Sequence, residues 1–362
     1  MSDNRPCARV VFLGGLGRSG TTLLERLLGE VPGVAPLGEV VHLWARGVLA
    51  DEPCGCREPF GRCPFWREVG ERAFGGWSAE LAHRMLILGR RVGRTRHIPA
   101  LARRVAHGRA CGRQGVPTGG TRRGAPGALE GPGAPEVPEA LGTSERPGAP
   151  GAPRSPAELP AELEEYAAVH RRLYDAAGAV AGRPVVVDSS KHASLAFCLA
   201  ATGSGVHVVH VVRDPRAVAH SWHGRTARPE DGRPMTRWSP ARTSLHWLAQ
   251  NLGLELLARS GVRVLRVRYE DLLASPAGTL GRLAGEIGLH PHPGLLRSLN
   301  GGEAELSPSH TVSGNPVRFV AGRIGLVEDD RWRTASPAGH RRLVTTMTWP
   351  LMVRYGYRGR LA

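Results

Sequence analysis

The sequence predicts an α/β fold of three layers, with helices on both faces of a central parallel sheet. Three observations predict it. Four β-branched runs, Val10 to Leu13, Val185 to Val187, Val206 to Val212 and Val262 to Val267, are each followed by turn residues and then by a helical pattern. Unbroken apolar runs suit strands buried on both faces, and their alternation with helices suits a covered parallel sheet. Finally, 362 residues at 41% hydrophobic can bury one large core.

Taken in order, the first run leads into a glycine-rich turn, VVFLGGLGRSGTTLL from Val10 to Leu24. Further on, Leu81, Met85, Leu88 and Val92 fall on one helical face ringed by arginines. Between Leu81 and Leu129 there is no acidic residue, while arginines recur from Arg84 and Arg91 through Arg104 to Arg123. This stretch holds most of the formal charge of +16. It reads as a core helix with a solvated basic face, and alternatively as a docking surface for an acidic substrate or a membrane. From about 108 to 160 the chain turns to Gly, Pro, Ala and Arg without apolar periodicity, which predicts a disordered insertion inside a single domain spanning 1–362. Ser239-Pro240 and Ser275-Pro276 mark two helix starts, the first ahead of Leu245, Leu248, Leu252 and Leu256, the second ahead of Leu280, Leu283 and Ile287.

No run approaches the length of a membrane span and no leader pattern is evident, so a soluble, cytoplasmic protein is expected. Six cysteines in so long a chain do not suggest a disulfide scaffold. Three cluster as Cys54, Cys56 and Cys63, but Cys-x-Cys-x6-Cys matches no zinc spacing well and shows no obvious fourth ligand. Buried packing is the reading from sequence, with zinc or a local disulfide as the alternatives.

Three elements carry chemistry. In a Walker A loop, G-x-x-x-x-G-K-[ST], backbone amides cradle phosphates and the lysine reaches the terminal ones. Here Gly15-Leu-Gly-Arg-Ser-Gly20 supplies the frame, but Thr21-Thr22 follows where lysine should stand. Arg18 and the helix start still suit a dianionic phosphate. Lys191 is the only lysine in the protein, just after VVVDSS, at the strand end where ligands bind in open α/β sheets. The third element, VRDPRAVAHSWHGR, places Arg213 at a strand end with Ser221 and Arg225 one helical turn apart beyond it. Together they imply a nucleotide with phosphates at two places.

A loop G-x-x-R-S-G-T-T after the first strand, and an arginine with a serine eight residues later after a central strand, resemble the two phosphate-binding motifs of sulfotransferases that use 3′-phosphoadenosine 5′-phosphosulfate (PAPS). The resemblance extends from Val10 to about Tyr357 apart from the insertion. It implies a P-loop NTPase-like fold, and looks closest to the bacterial and tyrosylprotein-type branches, because Glu39 stands 21 residues after Arg18. By this resemblance Arg18, Ser19, Gly20, Thr21 and Thr22 would hold the 5′-phosphosulfate, and Arg213, Ser221 and Arg225 the 3′-phosphate. Tyr269 would lie near the nucleotide. Glu39 would be the general base, with burial raising its pKa toward neutrality, and His42 and His192 the competing candidates. Lys191 would neutralise charge on the oxygen leaving sulfur.

SPSHTVSGNPVRF, with Ser309, His310, Ser313 and Asn315, would close over PAPS, with Arg318 as a phosphate contact. Trp222 would either contact adenine or pack the sheet. No metal is expected in this chemistry, and no nucleic-acid partner. The acceptor would be a hydroxyl of a carbohydrate, glycolipid, phenolic natural product or tyrosine. The alternatives are a P-loop phosphotransferase lacking the Walker lysine, and a non-catalytic basic binder of nucleic acid or membrane surface.

Overall fold

The computed structural model describes residues 7–110, 158–224 and 236–357. The chain begins β1 (Arg9–Gly14), α1 (Thr21–Gly29) and β2 (Val34–Gly38), then α2 (Pro64–Phe74), α3 (Ala79–Val92), α4 (Ile98–Ala110) and α5 (Glu158–Ala181). Next come β3 (Val185–Lys191), α6 (Ala193–Ala201), β4 (His207–Val212), α7 (Pro215–His223), α8 (Pro240–Arg259) and β5 (Val264–Arg268). The last part comprises α9 (Tyr269–Ala274), α10 (Pro276–Glu286), α11 (Pro293–Asn300), β6 (Glu303–Leu306), β7 (Gly322–Gly325), α12 (Trp332–Ala335) and α13 (Ala338–Arg354). Among the described residues no helix is long and apolar enough to cross a membrane.

Strands β1 to β5 form one all-parallel sheet in the order β2-β3-β1-β4-β5, and helices cover both faces, which is the α/β class expected. The alternation of side chains explains why. On β1, Val10 and Phe12 enter one core with α3, α5 and α6, while Val11 and Leu13 enter the opposite core with α1 and α10. All four are at most 1% exposed, and burial of each contributes about 1.5–3 kcal/mol. The fifth strand, β2, is the one the sequence reading lacks. Pro36 argues against a strand, yet β2 lies at the sheet edge, where a missing amide is tolerated.

One sequence expectation needs correction. Ser239 does cap α8, accepting a hydrogen bond from the Arg242 amide at 3.2 Å. The face of that helix is different from the one expected: Leu245 and Leu252 are exposed, while Trp247, Asn251, Leu254 and Leu257 are buried. The 108–160 span is helical at both ends, since α4 runs to Ala110 and α5 starts at Glu158; residues 111–157 lie outside the described residues. Helix α3 packs inward through Met85, Leu88 and Val92. Its basic face is engaged, Arg84 with Glu165 and Arg91 with Glu162, both acids on α5.

Candidate active site

The five carboxyl ends of the sheet converge on one cavity of about 940 Å³. In order along the chain, β1 delivers the glycine loop, β2 delivers Glu39, β3 ends in Lys191, β4 precedes Arg213 and β5 precedes Tyr269. All of these line the cavity, together with Ser221, His42 and His192. A parallel sheet puts every strand's end on one edge, so residues far apart in sequence meet there.

The glycine loop is built around a main-chain conformation that few residues tolerate. Gly20 precedes α1 at φ 91°, and a Cβ there would meet the Tyr269 ring at 2.3 Å. Helix α1 has no side-chain N-cap and no acid in its first turn, which suits an anion at its amide end. Thr21 and Thr22 lie at that end and line the cavity. Ser19 is buried within the turn, where its amide donates to the Leu16 carbonyl at 3.2 Å.

Across the loop, Arg213 donates to the Arg18 carbonyl at 3.1 Å and lies 4.4 Å from the centre of the Tyr269 ring. Trp222 donates its ring N–H to the Gly17 carbonyl at 2.9 Å and stacks on Trp238 at 3.9 Å. Trp222 therefore forms part of the cavity wall. Arg225 lies outside the described residues.

Lys191 is aimed by its main chain. Opposite β1, strand β3 gains one residue between the partners of Phe12 and Gly14, a bulge of the kind that redirects side chains. Lys191 itself sits at φ 70°, and its carbonyl accepts from the Gly15 amide at 3.0 Å. Left-handed geometry costs a non-glycine residue of order 1–3 kcal/mol and concentrates at functional sites. Arg18 at φ 74°, in the cavity lining, and Ser313 at φ 55°, next to the lining residue Gly314, share that geometry.

The Lys191 ammonium pairs directly with Glu39 Oε1, and the other oxygen of Glu39 is 3.5 Å from His42 Nε2. Burial works against ionisation of Glu39, but the charge of Lys191 and its hydrogen bond, with His42 adding only when protonated, outweigh it and hold the carboxyl below its ordinary range. The expected rise toward neutrality therefore does not occur, because a cation sits on the carboxylate. Enclosure by the cavity wall, with Lys191 nearby, lowers both His42 and His192 and favours neutral imidazoles.

Glu39 owes its place to a close approach. Gly38, at φ 86°, lies against the segment after β6, where a Cβ would be 2.2 Å from the Val312 carbonyl oxygen. The Glu39 amide donates to that carbonyl at 2.8 Å. Beneath them lies a second carboxylate that the sequence reading missed. Glu25 accepts from the Gly38 amide at 2.6 Å and from the Ser189 hydroxyl at 2.7 Å, and burial pushes its pKa up to about 7.

Arg318 does not reach the cavity. It is 1% exposed, and its guanidinium donates to the Pro53 and Thr311 carbonyls at 2.9 and 3.1 Å. It braces the segment from inside, while Gly314, Asn315 and Val317 of that segment face the cavity. Arg46, also missed from sequence, lines the cavity and donates to Ser313 Oγ at 2.7 Å. Arg46, Lys191, Arg18 and Arg213 line the cavity together with Glu39, the one acid in its lining among the described residues.

No protein-family model matches the chain, and no curated protein matches it. Among solved structures it is similar to the sulfotransferase domain of the olefin synthase from Synechococcus PCC 7002. That match has 16% identity and a TM-score of 0.42, and covers 96% of this chain and 97% of that one. It is also similar to the sulfotransferase STF1 from Mycobacterium tuberculosis H37Rv, with 17% identity and a TM-score of 0.35, over 78% of this chain and 68% of that one. At these scores neither likeness bears on function here; the residues of the cavity do.

Proposed function

We propose that this protein is a sulfotransferase that moves the sulfuryl group of PAPS to an acceptor hydroxyl. One observation carries the reading: the chain's single lysine, absent from the glycine loop, ends the neighbouring strand with its carbonyl on the Gly15 amide and its ammonium on a carboxylate in the same cavity. A phosphotransferase needs its cation at the terminal phosphate, inside the loop. Here the cation faces the place where a group held by the loop would react.

The glycine loop and Arg18 bind the 5′-phosphosulfate, and Arg213 with Ser221 binds the 3′-phosphate by charge-assisted hydrogen bonds. Glu39 takes the proton of the acceptor hydroxyl as its oxygen bonds to sulfur. The bond from sulfur to the phosphate oxygen breaks, and the electron pair leaves with 3′,5′-bisphosphoadenosine. Lys191 releases Glu39 and turns to the departing oxygen, where negative charge grows. Breaking that ion pair raises the basicity of Glu39 at the moment a base is needed. The acceptor enters beside His42, Arg46 and the segment through Asn315, walls that are free to vary between chains sharing one scaffold. Carbohydrates, glycolipids, phenols and tyrosine are the acceptor classes to screen.

Thermal denaturation tests the nucleotide. The bisphosphate should raise the melting temperature by several degrees, while ATP with magnesium does little. No shift with the bisphosphate, together with magnesium-dependent ATP turnover, would overturn the reading.

A further inference from the structure

Behind the segment that carries Ser313 and Asn315, four side chains converge that the chemistry above does not use. Cys54 and Cys56 lie in the turn after Leu49, Cys63 immediately precedes α2, and His310 follows β6. Their ligand atoms all lie within 4.8 Å of one another. The sulfurs of Cys54 and Cys56 are each 3.7 Å from that of Cys63, and His310 Nδ1 is 3.8 Å from Cys54 and 3.3 Å from Cys63.

Those spacings are the edges of a small tetrahedron. An ion with bonds of about 2.3 Å to sulfur and about 2.0 Å to nitrogen sets its sulfurs about 3.8 Å apart, and its nitrogen about 3.5 Å from each. A disulfide would instead need sulfurs at about 2.05 Å, and it would leave a third thiol and an imidazole without a purpose. The imidazole is also held in place from outside the cluster: its ring stacks on Phe65 at 5.0 Å, and the His310 carbonyl accepts from Trp66 Nε1 at 2.8 Å.

We infer that Cys54, Cys56, Cys63 and His310 bind one structural Zn2+ with all four positions filled by protein, and that this ion fastens the 309–318 segment to the part of the chain that follows Glu39. A closed Cys3His set leaves no place for substrate, so the ion is a fastener. It sits where fastening matters. Two residues beyond His310, Val312 pairs with Gly38 and receives the Glu39 amide, and Ser313 meets Arg46.

Elemental analysis of the purified full chain, kept reduced and free of chelator, should find about one zinc per chain. Co2+ exchanged into the site should give the thiolate charge-transfer absorption and strong visible bands of a tetrahedral centre. Cys63→Ser and His310→Ala should each lower zinc at least about tenfold and lower the melting temperature by about 5 °C or more, while the exposed Cys7→Ser leaves both unchanged. Should the variants fail to fold, the unmodified chain still decides, through its zinc content and the number of thiols that react before and after chelation. Zinc below about a tenth of an equivalent, with all three thiols reactive in the native chain or joined in a disulfide, overturns the inference.

Discussion

The two sides of the cavity are charged differently. On the side of the glycine loop, Arg18 and Arg213 meet an uncapped helix end, and no acid lines the wall among the described residues. Beside that loop, at the ends of β2 and β3, Lys191 and Glu39 neutralise each other, with His42 at 3.5 Å from the same carboxylate. An excess of positive charge suits a ligand that stays anionic throughout, whereas a balanced pair suits a step in which charge moves. The first side should therefore govern binding and the second the rate.

The largest effect expected is at the balanced pair. Lys191→Ala should lower the transfer rate by about 10³-fold, as for loss of a group that stabilises developing charge, and should weaken the bisphosphate, whose 5′-phosphate carries the departed oxygen, by a clearly smaller factor. Equal losses in rate and binding would move Lys191 to the phosphate side and break the comparison. Glu39→Gln should cost about 10²–10⁴-fold in rate. Because Lys191 holds Glu39 ionised, the acid limb of kcat/KM should lie below the ordinary carboxylate value of 4.5. A limb between about 5 and 6.5 would instead make His42 the base. Arg213→Ala should do the reverse of Lys191→Ala, weakening the bisphosphate by about 10- to 100-fold with kcat at saturation little changed, as for loss of a charged hydrogen bond.

A smaller effect concerns Glu25 and stability. Its pKa is raised in the folded chain from 4.5 to about 7, so the folded state holds the proton more tightly than the unfolded state. Stability is then fullest below 4.5 and declines as pH rises to about 7, by on the order of 3 kcal/mol. Asp188, raised from 3.8 to about 6, adds in the same direction. Glu25→Gln should flatten this decline in chemical denaturation at pH 5 against pH 8, since a carboxamide can keep both hydrogen bonds. An unchanged slope would mean that Glu25 is not protonated beneath the site.

Most of the strand ends that build the cavity can be read along the chain, because apolar runs and glycine turns are local signals. The loop at Gly15, Lys191 after VVVDSS and Arg213 after VHVVHVV stand out in this way. What is hidden depends on distant partners. Glu39 looked like a carboxylate that burial would raise, and only the fold shows the lysine 152 residues on that lowers it instead. Arg318 looked like a phosphate contact, but the carbonyls of Pro53 and Thr311 claim it. The cysteines lacked a fourth ligand because it stands 247 residues after Cys63, where no spacing rule reaches. On α8, Leu245 and Leu252 of the expected apolar stripe point outward while Leu248 and Leu256 pack only partly, because Trp247 and Asn251 carry the hydrogen bonds that anchor the other face, to the Arg213 carbonyl and His210.

Arg18 occupies a left-handed turn that glycine would adopt at no steric cost. Arg18→Gly should accordingly raise conformational stability by about 1 kcal/mol while weakening the bisphosphate. If Arg18 holds the 5′-phosphosulfate as proposed, folding and ligand capture pull in opposite directions at this position, and a search for more stable variants alone would discard the arginine early.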